Sequence, residues 1–153
     1  MNDLISRALV VASDTDVVEV GRGLLPRSGT ILRDALFPGR AALDGATPSD
    51  EVFADTRPVL VVADERTWAA AGQAVHDSLA AAGVEVLEPM VFPGHPVLYA
   101  ALENCDLITQ RLDETGALGV AVGSGTLNDL VKLASGRLGQ PYGVVGTAAS
   151  MDG

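Results

Sequence analysis

The stretch "LGVAVGSGTLNDLVKLASGRLG", Leu118 to Gly139, decides how the chain is to be read. It opens on a run of Val and Ala that is continuous rather than alternating, as in a strand buried on both faces of a parallel sheet. It closes on Leu127, Leu130, Val131, Ala134 and Leu138, apolar positions at helical spacing. Between the two lie Gly123 and Gly125, which let the backbone turn tightly and come close to a ligand. The helix after them begins with N–H groups and a dipole that favour an anion. Strand, glycine turn and helix make one βα unit, and a phosphate suits the joint.

The same alternation extends outward in both directions. "PVLVVAD" (Pro58–Asp64) reads as a buried strand. "ERTWAAAGQAVHDSLAAAG" places Trp68, Ala71, Val75, Leu79 and Ala82 on one helical face and ends on Gly83. "VEVLEP" predicts a second strand ended by Pro89, and "HPVLYAALENCDLITQRLDETG" a helix with Leu98, Ala101, Leu102, Cys105, Ile108 and Leu112 inward. "YGVVGTAAS" is a further strand with its loop. Repeated βα units of this kind define an α/β fold, a parallel sheet with helices on both faces. Upstream, "DVVEVGRGLLPRSGTILRDALFPG" predicts one more strand, a turn at Gly21–Gly23 and a short helix near Thr30–Leu36. The polar, Pro-containing stretch 40–57 has no periodicity and reads as a loop.

Composition narrows the function classes. At 153 residues the chain has the size of one domain able to bury its own core. Aromatic residues are only 4%, so that core is built from Ala, Val and Leu. The net charge of −10, without a Lys/Arg cluster, argues against nucleic acid as a partner. Apolar runs such as "PVLVVA" are far shorter than the roughly 20 residues of a membrane span. The N-terminus lacks a secretory pattern, and the single cysteine, Cys105, permits no internal disulfide, which together point to the cytoplasm.

Three strand ends carry candidate chemistry. "VAVGSGTLND" matches the dinucleotide fingerprint GxGxxG in part, Asn128 standing where the third glycine would be. A glycine-rich turn without a ligand is the plain alternative. Asp64, at the carboxyl end of its strand, lies on the edge where parallel sheets bind ligands and could accept hydrogen bonds from ribose hydroxyls. Its plain alternative is a helix cap, made by Asp64 or by Thr67. The closing "TAASMDG" brings Thr147, Ser150 and Asp152 to the same edge, or is an ordinary loop. Cys105 falls on an apolar helix face and reads as core. His76, beside Val75 in mid-helix, and His95, between prolines, do not make the three converging ligands of a catalytic zinc, so neither a metal site nor a catalytic residue is assigned.

Taken together, "GSGTLNDLVKLASGRLGQPYGVVGTAASMDG" resembles the sn-glycerol-1-phosphate dehydrogenase family. That family lies within the wider group of glycerol dehydrogenases, iron-containing alcohol dehydrogenases and dehydroquinate synthases. "VLVVADERTWAAAG" and "VVEVGRGLL" look, more loosely, like the family's nucleotide-contacting and opening strands. The resemblance implies a Rossmann-like N-terminal domain of the dehydroquinate synthase-like fold that binds NAD or NADP. By position, Asp64 would contact the adenosine ribose, and Gly123, Ser124, Gly125, Thr126 and Leu127 would line the pyrophosphate. Thr147 and Ser150 would also hold the dinucleotide, and Asp152 would face the substrate. The family reduces dihydroxyacetone phosphate to sn-glycerol 1-phosphate, with a zinc or similar divalent metal held by a C-terminal helical domain.

On this reading residues 1–153 are the NAD(P)-binding domain, and the helical metal-binding domain, with the family's metal-binding acid and histidines, is absent. The expectation is a chain that binds the cofactor and is inactive alone, its phosphorylated polyol or ketone substrate handled only once a helical domain completes it. Two alternatives stand beside it: a non-catalytic module that self-associates through an exposed interdomain face, and a glycerol dehydrogenase-like or dehydroquinate synthase-like relative.

Overall fold

A computed structural model describes residues 9–10, 12, 14–38 and 55–147 of the chain. A 3-10 turn, Leu25–Arg27, leads into α1, Ser28–Leu36. Strand β1 is Val59–Asp64. The next helix, α2, runs without a break through an α turn Glu65–Thr67, a π-helical stretch Trp68–Gly72 and an α-helix Gln73–Ala81. Then come β2 (Met90–Phe92), α3 (Leu102–Thr115), β3 (Leu118–Gly123), α4 (Gly125–Arg137) and β4 (Tyr142–Gly146).

All strand pairs are parallel, in the order β2-β1-β3-β4. The central strands are β1 and β3, and their Val, Leu and Ala side chains are buried on both faces, which is why neither alternates in polarity. One face packs Val59, Val61, Val120 and Val122 against Leu32 and Leu36 of α1 and Val75 and Leu79 of α2. The other packs Leu60, Val62 and Ala121 against Ile108 and Leu112 of α3 and Leu127, Val131 and Ala134 of α4. Each fully buried Val or Leu contributes about 1.5–3 kcal/mol, so these two layers dominate the fold's stability. The result is the Rossmann-like α/β sandwich that the alternation of periods predicts.

Three local expectations are corrected. Residues 15–20 form no strand: Val17 and Val20 are exposed, and the segment lies along α1 without entering a ladder. The second strand is Met90–Phe92 rather than 84–88. Around Val86 only a single bridge to Val59 forms, and Pro89, which has no N–H to donate, separates that bridge from the ladder proper. Helix α3 starts at Leu102 and not near His95, its N-cap Ala101 being extended, so Leu98 reaches the core from a loop while Leu102 is exposed. Of the predicted 40–57 loop, positions 40–54 lie outside the described residues; the rest shows Arg57 paired with Asp55.

Candidate functional site

The carboxyl edge of the sheet has one position where the chain diverges. From β1 it goes through α2, on one face, to β2; from β3 it goes through α4, on the opposite face, to β4. Such a reversal opens a crevice beyond the two central strands, the place where open α/β sheets bind ligands. The register pairs Val62 with Ala121, so two residues further on Asp64 and Gly123 end their strands side by side. Thr147 joins them: its N–H donates to the Gly123 carbonyl at 3.1 Å, so the segment leaving β4 starts against the glycine turn.

Asp64 is held by its own helix. Its Oδ1 accepts from the N–H groups of Arg66 (2.9 Å) and Thr67 (2.8 Å), while Thr67 Oγ1 accepts from the Asp64 N–H at 3.0 Å. This reciprocal capping box satisfies donors that a helix start otherwise leaves orphaned. The capping alternative is therefore realised. The second oxygen, Oδ2, makes no hydrogen bond among the described residues and stays at the half-buried strand end. Beside it, Glu65 Oε2 accepts the Gly94 N–H at 3.0 Å, tying the turn after β2 to the start of α2.

The glycine turn is built differently. Gly123 is a packing requirement, since a Cβ there would stand 2.3 Å from Leu127 Cδ1, a side chain itself buried in the core. Gly125 has no such neighbour; a Cβ would meet nothing within 4 Å. Ser124 is the N-cap of α4, with extended backbone and no side-chain bond to the helix. The first-turn N–H groups of Gly125, Thr126 and Leu127 thus lack a side-chain cap, next to open space at a glycine. Donors so arranged can bind an anion from outside the chain. Leu127 could offer only its backbone, as its side chain faces the core.

The structure therefore brings Asp64, Gly123, Ser124, Gly125, Thr126 and Thr147 to one edge. Ser150 and Asp152 lie outside the described residues. Sequence reasoning missed the role of Asn128. It is 5% exposed, and its Oδ1 accepts from Tyr142 Oη at 3.2 Å, tying α4 to the first residue of β4. A polar residue flanking the apolar stripe of Leu127, Val131 and Ala134 was the available signal. Burial, reinforced by the Asp129 carboxylate, holds the Tyr142 phenol above its usual range.

No group of three or more His, Cys, Asp and Glu side chains gathers as a metal site among the described residues. His76 sits on α2 beside Asp77 at 3.4 Å, and His95 is exposed in the bend after β2. Cys105 is fully buried in the second core layer. Asp129 and Lys132, both exposed, form no ion pair with each other. No helix among the described residues is long and apolar enough to cross a membrane.

A doubly wound parallel sheet with an uncapped glycine turn at its switch point defines a Rossmann-like α/β protein. Comparison with known proteins names the family. The model of the iron-containing alcohol dehydrogenase family matches residues 50–153, and the chain belongs to that family. A glycerol-1-phosphate dehydrogenase [NAD(P)+] of Methanosarcina acetivorans is 36% identical over 137 residues, covering 89% of this chain and 32% of the relative. Its counterpart in Halalkalibacterium halodurans is 35% identical over 97 residues, 62% of this chain and 24% of the relative. The chain thus spans about a quarter to a third of the length of these relatives. Among solved structures, an iron-containing alcohol dehydrogenase of Thermococcus thioreducens shares the fold, with TM-score 0.50 and 20% identity over 75% of this chain and 24% of that one.

Proposed function

We propose that this chain is the NAD(P)-binding half of a metal-dependent polyol-phosphate dehydrogenase resembling the glycerol-1-phosphate dehydrogenases. The observation that carries the reading is the pairing, at the switch point, of an uncapped glycine turn with an acid on the next strand. In it, the backbone N–H groups of Gly125, Thr126 and Leu127 and the Ser124 hydroxyl hold the pyrophosphate. Asp64 Oδ2 accepts from a ribose hydroxyl, and Thr147 closes the cradle on the β4 side. Ser150 adds a hydroxyl to the dinucleotide and Asp152 meets the substrate. When bound, the reduced cofactor supplies a hydride for a ketone such as dihydroxyacetone phosphate. The charge on Asp64 disfavours the 2′-phosphate of NADP, so NAD is the preferred form.

The described residues offer no donor set for the divalent metal of such reactions, and this half alone is inactive on the present reading. Titration of the chain with NADH, followed by fluorescence, tests the binding claim: saturation below millimolar concentration is expected, and its absence sinks the reading. A zinc-dependent reduction of dihydroxyacetone phosphate by the purified chain would overturn the claim of inactivity.

A second reading rests on Val97, Tyr99 and Leu102, which are 71%, 66% and 63% exposed in and just after the loop that leaves β2. Apolar exposure of this kind suits self-association. Light scattering after size exclusion decides it, a monomer at all concentrations being the adverse result.

A further inference from the structure

The turn after β2 is fixed by one side chain. Glu65 and Gly94 are 29 residues apart in sequence, and their hydrogen bond lies just beyond the last rung shared by β1 and β2, Asp64 with Phe92. Gly94 is fitted to it: a Cβ there would come within 2.9 Å of Glu65 Oε2. Core packing does not require the contact, since Glu65, Pro93, His95 and Pro96 are all exposed and the ladder is already complete. What the contact shapes is the rim of the crevice, one residue from Asp64.

We infer that Glu65 is a positioning residue that holds the 93–96 turn as a wall for the nucleoside end of a dinucleotide. The inference rests on the dinucleotide reading above. With the pyrophosphate at the end of β3 and a ribose at Asp64 on β1, the next ground outward is the turn after β2. Two proline rings, a glycine backbone and an imidazole offer weakly polar surface, which suits a purine face. Glu65 acts through the turn, because its Oε2 is engaged by Gly94.

The test uses the whole chain with E65A and E65Q. Three ligands are titrated: NADH, ADP-ribose, which keeps the adenosine end, and reduced nicotinamide mononucleotide, which lacks it. E65A should weaken NADH and ADP-ribose about threefold to tenfold, the worth of one hydrogen bond, and leave the mononucleotide unchanged. E65Q, whose amide oxygen can accept the same N–H, should stay within about twofold. Amide exchange at Gly94 should quicken in E65A and not in E65Q. Equal affinities of E65A and the unsubstituted chain overturn the inference and leave the dinucleotide reading standing. So does an equal loss for all three ligands, which is the mark of general loosening. Failure of the unsubstituted chain to bind either NADH or ADP-ribose overturns the dinucleotide reading first, and this wall's role with it.

Discussion

At the end of β1 the helix start is closed on itself, Asp64 and Thr67 exchanging side-chain and backbone hydrogen bonds. At the end of β3, one strand away, Ser124 occupies the same N-cap position with extended backbone, yet its hydroxyl makes no bond to α4. Asp and Ser are both favoured caps, so intrinsic preference predicts the same behaviour at both sites. A second difference lies at the third residue of each helix. Thr67 answers Asp64 there, whereas Leu127, at the matching place after Ser124, is drawn into the core and has no polar group to offer. One turn satisfies its helix from within; the other leaves its donors for something from outside.

The comparison can be broken most severely at Gly123. G123A forces a methyl group against the buried Leu127 side chain and should cost about 1–3 kcal/mol in urea unfolding. A neutral result would mean the turn is looser than its packing implies. D64A comes next, with a loss of about 1 kcal/mol through the capping box. S124A and G125A should each stay within about 0.5 kcal/mol of the unsubstituted chain, while NADH affinity drops. If S124A destabilised the fold as much as D64A, the contrast between a closed and an open turn would be gone.

The smallest effect is at the anchor of α4. Because the Tyr142 phenol is held above its ordinary range in the folded state, the unfolded chain loses that proton first as pH rises. Folding stability should therefore decline above about pH 10, the ordinary tyrosine value, and Y142F should remove that part of the decline. Unfolding curves collected across this range check it, a pH slope unchanged in Y142F being the contrary outcome.

Legibility from sequence tracks the range of the forces involved. The strands β1 and β3 and the helices α2 and α4 are readable because burial on both faces and helical spacing are local patterns in "VLVVA", "LGVAVG" and the stripe Leu127, Leu130, Val131 and Ala134. The stretch 15–20 is not, since "DVVEV" has strand composition but a strand exists only where a neighbour supplies a ladder. Pro89 reads correctly as an interruption and wrongly as an end, because the ladder resumes at Met90. At the site, the glycine turn and Asp64 are visible as residue types. That Glu65 reaches Gly94 and Asn128 receives Tyr142 depends on contacts between distant residues that no local window contains, whereas the cap at Asp64 spans three residues and stands in the sequence as an open alternative.

The π-helical stretch has an optical consequence. Gly72 leaves room for the indole of Trp68, which a Cβ would approach to 2.5 Å at Cε3. That indole, the one tryptophan of the chain, directly succeeds the capping box and lies edge-on to the His76 ring at 6.0 Å. With a reduced nicotinamide dinucleotide bound along the same sheet edge, as proposed, energy transfer should quench its emission. Its emission should also shift when D64A opens the cap. One chromophore, native to the fold, should thus report the state of the turn and, on the proposed function, the arrival of a dinucleotide.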